Sequence, residues 1–98
     1  MIGQKSICLF AHFNAALKVD EYVITYLEHL SSIGFDIYFI SNSSIKRDYK
    51  DLLARKIKNC RIYERDNKGA DFGAWKWAME QDLVPGDTDY LLLTNDSL

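Results

Sequence analysis

The sequence predicts an open α/β domain: a parallel β-α-β-α-β-α-β sheet, Rossmann-like and three layers deep. Three observations predict it. Four short apolar runs are spaced along the chain. Three segments of helical periodicity lie between them, and no run of strands stands without an intervening helix. Continuous apolar runs suit strands covered on both faces, which is the condition of a parallel sheet flanked by helices. Helical crossovers between parallel strands then give right-handed connections.

The elements follow in order. Ile7-Cys8-Leu9-Phe10-Ala11 is the first strand. From Val19, apolar residues fall at Val23, Tyr26, Leu27, Leu30 and Ile33, a helical stripe. Asp20 is placed to cap this helix with its carboxylate, and Gly34 to end it. Phe35 to Ile40 is the second strand, rich in Ile, Tyr and Phe. A second helix is predicted over Asp48 to Lys58, with Tyr49, Leu52, Leu53 and Ile57 inward. Cys60 to Tyr63 is a shorter, alternating third strand. The third helix is predicted over Ala70 to Gln81, with Phe72, Trp75 and Met79 on one stripe; Trp77, two residues from Trp75, lies off it. Val84-Pro85-Gly86-Asp87 is turn chemistry that delivers the chain to the fourth strand, Tyr90-Leu91-Leu92-Leu93.

Composition narrows the classes. The chain has 98 residues, 48% of them hydrophobic and 27% charged, which fits one small globular domain over residues 1–98. A chain of this length buries roughly two-thirds of its unfolded surface, so a core forms without disulfide staples. Twelve basic against fourteen acidic residues leave a net charge of -2, which argues against a nucleic-acid partner held by bulk charge. Two cysteines, Cys8 and Cys60, make neither a metal cluster nor a disulfide framework and read as reduced, buried thiols. No stretch approaches the ~20 apolar residues of a membrane span, and the start does not read as a signal peptide. A cytoplasmic protein is expected. Leu98 follows closely on the last strand, so the reading also expects a domain cut short after strand four.

In open α/β sheets, ligands bind beyond the carboxyl ends of the strands. The residues there are polar at all four ends: His12, Phe13 and Asn14; Ser41, Asn42, Ser43 and Ser44; Arg65, Asp66, Asn67, Lys68 and Gly69; Thr94, Asn95, Asp96 and Ser97. Their hydroxyl, amide and carboxylate groups suit a sugar or ribose, although loops are polar for turn chemistry alone. His12 could contact a ligand base or act as a general base, but a His that ends a strand is more often a hydrogen-bonded structural residue; His29 reads as plain surface. Asn67-Lys68-Gly69-Ala70-Asp71-Phe72-Gly73-Ala74-Trp75 leads into helix three. A helix N-terminus attracts phosphate through its unpaired N–H groups and dipole, and Lys68 adds a cation. An ordinary turn capped by Asp71 accounts for the same spacing. Neither a Walker loop nor the dinucleotide fingerprint is present.

Asn67-Lys68-Gly69-Ala70-Asp71-Phe72-Gly73-Ala74-Trp75-Lys76, with Tyr90-Leu91-Leu92-Leu93-Thr94-Asn95-Asp96-Ser97, resembles the rhamnan synthesis F family. These are bacterial glycosyltransferase-like proteins linked to rhamnose-containing surface polysaccharides. Ile7 to Phe13 and Tyr38-Phe39-Ile40-Ser41-Asn42-Ser43 are similar to that family too. The resemblance implies the N-terminal, nucleotide-sugar-binding half of a GT-A-like fold, serving rhamnan or lipopolysaccharide synthesis. It implies that His12, Phe13, Asn14, Ser41, Asn42 and Ser43 face the nucleoside. It implies that Asn67, Lys68, Gly69 and Asp71 line the diphosphate and sugar, and that Asn95, Asp96 and Ser97 fall at the family's Asp-x-Asp metal motif. Here Asn95 and Ser97 take the two Asp positions, so Asp96 is the lone carboxylate for Mg²⁺ or Mn²⁺, a thin donor set for a hard cation. The implied reaction is glycosyl transfer from a nucleoside diphosphate sugar, with dTDP-rhamnose the donor the resemblance suggests. The acceptor half is not in this chain, so the isolated chain is expected to be inactive. The competing expectation is a non-catalytic binding or assembly module. In a 3-2-1-4 order, strand four is an open edge through which a homodimer could form.

Overall fold

A computed structural model describes residues 5–96; Ser97 of the strand-four motif lies outside them. The element order is β1 (Ser6–His12), α1 (Glu21–Ser32), β2 (Phe35–Ser41), α2 (Arg47–Lys56), β3 (Cys60–Glu64), α3 (Ala70–Glu80) and β4 (Tyr90–Asn95). All four strands are parallel, in the order β3-β2-β1-β4. The strands run one or two residues further than the apolar runs, so His12, Ser41 and Asn95 are ladder residues rather than loop residues.

The sheet divides the core in two. Cys8, Phe10, Ile37 and Phe39 face α1 and α2, meeting Val23, Ile24, Leu27 and Leu53. Ile7, Leu9, Ala11, Tyr38 and Ile40 face the other way, against Ala74 and Ala78 of α3. Strands β1 and β2 are therefore buried on both sides, as their unbroken apolar sequences require. Cys8 is buried and Cys60 half-buried, and both thiols are free.

Four expectations are corrected. Asp20 stands at the N-cap of α1, but its carboxylate makes no capping bond. Its extended backbone instead presents the carbonyl to the amides of Val23 and Ile24. The second helix ends at Lys56, because the backbone of Ile57 is already extended.

The third helix does not bury the stripe of Phe72, Trp75 and Met79. Phe72 is 72% exposed and Met79 52%, while Ala74 and Ala78 are fully buried. Small side chains one turn apart let α3 lie close to the sheet, and the large residues straddle that contact. Trp75 leans toward β4, donating from Nε1 to the Thr94 carbonyl at 3.2 Å. Trp77 leans toward β3, edge-on to Tyr63 at 5.8 Å between ring centres. Phe72 and Met79 overhang.

Lastly, β4 is not covered on both faces: Leu91 and Leu93 remain over 40% exposed beside α3. A single helix docked across the middle of the sheet leaves its edge bare.

Candidate site at the carboxyl ends of the strands

From β1 the chain winds outward through β2 and β3, then returns to the far side of β1 as β4. The strand order thus reverses at β1, between β2 and β4, and this is where open α/β sheets form a crevice. Two tied clusters occupy that end of the sheet.

The first joins β1, β2 and β4. His12 is 1% exposed and packs its ring on Phe39 at 4.9 Å. Its Nε2 lies 2.9 Å from the Lys18 carbonyl, and its Nδ1 lies 2.9 Å from Ser41 Oγ. Asp96 Oδ2 is 3.9 Å from Nε2 and accepts the Phe13 amide at 3.3 Å. Tyr22 of α1 donates to the Asp96 carbonyl at 2.8 Å. Burial pushes the His12 imidazole below its ordinary value, partly opposed by the Asp96 charge. Burial also raises the Asp96 carboxyl, and the nearby Asp71 charge adds to this. The Lys18 carbonyl can only accept, so Nε2 carries a proton; the Ser41 hydroxyl gives its single proton to the Ser43 carbonyl and is no donor to Nδ1.

Ser, His and Asp side by side suggest a nucleophilic relay, but the geometry does not permit one here. Ser41 is 0% exposed and its hydroxyl has no opening toward a substrate. That hydroxyl lies 2.6 Å from the Ser43 carbonyl and accepts the Ser43 amide at 3.1 Å. The cluster fixes the β1 and β2 loops to each other. Ser43 Oγ continues the tie by accepting the Asn14 amide at 3.3 Å.

The second cluster joins β2, β3 and the start of α3. Asn42 is buried; its Nδ2 donates to the Ala70 carbonyl at 2.9 Å, and its Oδ1 accepts from Arg65 Nη1. Both terminal nitrogens of Arg65 also reach the Lys68 carbonyl at 3.3 Å. Arg65 Nε is buried without a partner. The loop these bonds hold is unusual. Gly69 (φ 76°) and Ala70 (φ 51°) are both left-handed, a conformation an alanine adopts only at a cost of roughly 1–2 kcal/mol. Gly69 supplies no capping side chain, so the first-turn amides of α3 receive none from the N-cap residue. Asp71 sits in that first turn rather than at the cap.

Of the twelve predicted site residues, His12, Phe13, Asn14, Ser41, Ser43 and Asp96 therefore come together in the first cluster. Asn42 and the backbones of Lys68, Gly69 and Ala70 belong to the second, beside it through the Ser41–Asn42 peptide. Asn67, Lys68 and Gly69 stand exposed at the outer rim, as does Phe13. Asn95 lines a separate hollow of about 370 Å³ between α1 and β4, with Phe10, Tyr22, Val23, Tyr26, Leu93 and Thr94.

Three residues were not assigned to the site. Arg65, named only among the polar residues after strand three, is the organising cation; a lone arginine after a strand gives no signal of its own. Tyr22 and Tyr26 are four apart on α1, and that spacing could have flagged them as a pair facing the β4 end. Tyr26 meets Thr94 through its hydroxyl at 3.2 Å. Among the described residues, no group of three or more His, Cys, Asp or Glu is placed to hold a metal ion.

The class these features define is an open parallel α/β domain with two hydrogen-bonded polar clusters at the carboxyl ends of its strands. No family model matches the chain, and neither curated proteins nor solved structures furnish a match.

Proposed function

We propose that this chain is the donor-side domain of a glycosyltransferase-like protein and binds a nucleoside diphosphate sugar at the carboxyl ends of β1, β2, β3 and β4. The observation that carries the reading is the pair of tied clusters at the strand-order reversal, where Asp96 meets Phe13 and Asn42 meets Arg65. A strained left-handed turn held open at a helix start is costly unless it serves something. Here it presents the amides of α3 beside Arg65 and Lys68, a setting suited to a diphosphate.

The roles divide by exposure. His12, Ser41 and Asn42 are buried and position the loops. Phe13, Asn14, Asn67 and Lys68 are the groups open to a ligand. The departing diphosphate of a sugar donor needs positive charge near it, which Lys68, Arg65 and the α3 dipole supply. Mg²⁺ commonly takes one or two protein carboxylates and completes its shell with phosphate and water. Asp96 is the carboxylate such an ion would use, and a single carboxylate is a thin donor set for it. The resemblance of the Asn67–Lys76 and Tyr90–Ser97 blocks to the rhamnan synthesis F family favours a surface-polysaccharide role and a rhamnosyl donor.

Calorimetric titration with dTDP, UDP and inorganic pyrophosphate, with and without Mg²⁺, tests this. A saturable nucleotide signal that Arg65→Ala abolishes is expected. Heats equal to dilution for all three ligands would overturn the reading.

A further inference from the structure

We propose that β4 is a pairing edge, and that its occupant is the β4 strand of a second copy of this chain, joined antiparallel about a two-fold axis perpendicular to the sheet. The two edges of the sheet differ in kind. The β3 edge carries Arg61 and Glu64, with Arg61 folded over the Tyr38 ring at 5.3 Å. Charged residues on an edge strand discourage further pairing. The β4 edge, Tyr90-Leu91-Leu92-Leu93-Thr94-Asn95, has no charge, no proline and no glycine.

Its backbone is also aligned for self-pairing. The amides of Tyr90 and Asp96 turn inward, to the carbonyls of Lys5 and Ala11 on the β1 side. Alternation along the strand therefore points the backbone groups of Leu91 and Leu93 outward. In an antiparallel pair, two outward-facing residues exchange both of their hydrogen bonds. Placing Leu92 opposite its own copy on the two-fold axis sets Leu91 opposite Leu93 of the second copy, and Leu93 opposite Leu91. Four ladder bonds form, and Leu91 and Leu93 of the two copies meet on one face.

That face is the exposed one. Leu91 and Leu93 border an apolar hollow of about 500 Å³ with Phe72, Trp75, Lys76 and Met79. Phe72, Met79, Leu91 and Leu93 on this face, with Tyr90 on the opposite face of the same strand, leave on the order of 500 Å² open per copy, given the 150–250 Å² of a large side chain. Covering them in both copies removes roughly 1,000 Å², the lower bound for a specific interface. A strand edge without charge also brings no like-charge repulsion to a symmetric contact, where every group meets its own kind nearby.

Sedimentation of the full chain from ~1 to ~500 µM tests the proposal. A monomer–dimer equilibrium is expected, with a dissociation constant roughly in the micromolar range or weaker. Leu93→Lys, at a half-exposed position, should hold the chain monomeric over the whole range with an unchanged circular dichroism spectrum. Leu91→Lys should do the same, should the first variant fold poorly. L92C made together with Cys8→Ser, which removes the neighbouring thiol on β1, should give a disulfide-linked dimer when oxidised with diamide, because facing residues on the axis form the close, non-hydrogen-bonded pair. A wild-type monomer throughout, growth past the dimer, a dimer that survives both lysine variants, or a dimer in which L92C does not cross-link would each overturn the proposal.

Discussion

Replacing Gly73 with alanine gives two opposite expectations, and the structure chooses between them. Gly73 lies inside α3, where alanine is the better helix former by about 1 kcal/mol. Propensity alone therefore predicts a more stable protein. A Cβ at this position, however, falls well inside van der Waals contact of the Lys68 carbonyl oxygen and 2.9 Å from its carbon. Those are backbone atoms, and they cannot rotate away as a side-chain tip could. Arg65 holds the same carbonyl in place and is in turn held by Asn42. Relief requires the 65–70 loop or the first turn of α3 to move, breaking part of the Asn42–Arg65–Lys68 tie. Overpacking costs roughly 1–3 kcal/mol and lost hydrogen bonds of a charged group another 1.5–3, so a net loss of about 2–4 kcal/mol remains after the propensity gain. For a domain of this size each kcal/mol lowers Tm by roughly 4–8 °C. Thermal unfolding should therefore show a fall of at least about 8 °C for Gly73→Ala. Gly86→Ala, whose Cβ would meet nothing within 4 Å, should stay within ~0.5 kcal/mol of wild type. A Gly73→Ala protein as stable as wild type would refute the close docking of the loop on α3.

Other predictions concern the same region and the core. Ala70→Gly relieves the left-handed alanine and should raise stability by up to about 1 kcal/mol in urea titration, the backbone entropy of glycine offsetting part of the gain. His12 has its pKa lowered by burial, so the unfolded chain binds the extra proton first. Its contribution to stability is complete above the ordinary value of 6.5 and is lost as pH falls below it. Urea midpoints measured from pH 7.5 down to pH 5 should decline, and His12→Gln should flatten that slope while lowering stability at pH 7.5. Both thiols are held at a pKa of about 12, chiefly by burial. An aromatic disulfide reagent at pH 8 should leave native Cys8 and Cys60 unlabelled and titrate two thiols in denaturant.

The parallel sheet was legible because buried strands need unbroken apolar sequence, and Ile7–Ala11 and Phe35–Ile40 supply it. The order β3-β2-β1-β4 was expected only from the GT-A-like resemblance, not from the residues themselves. Other features resisted for identifiable reasons. Reading α3 by its largest residues pointed to Phe72 and Met79, whereas close docking is made by its smallest, Ala74 and Ala78. Asp20 has the chemistry of a cap and the position of one, yet its carboxylate makes no capping bond. The strand ends were correctly marked as polar, but polarity does not distinguish a buried brace such as His12 or Ser41 from an open contact such as Asn67. Arg65 became visible only through its partners, all supplied by other elements or by the loop it holds.

Amide chemical-shift mapping under titration with dTDP tests the account's central claim most directly. The account predicts saturable shifts confined to the carboxyl-end loops, at Phe13 and Asn14, Asn42 and Ser43, the 65–73 segment, and Asn95 and Asp96. Shifts centred on the opposite end of the sheet, near Lys5, Gly34 and Asp89, or no shifts at millimolar ligand, would contradict it.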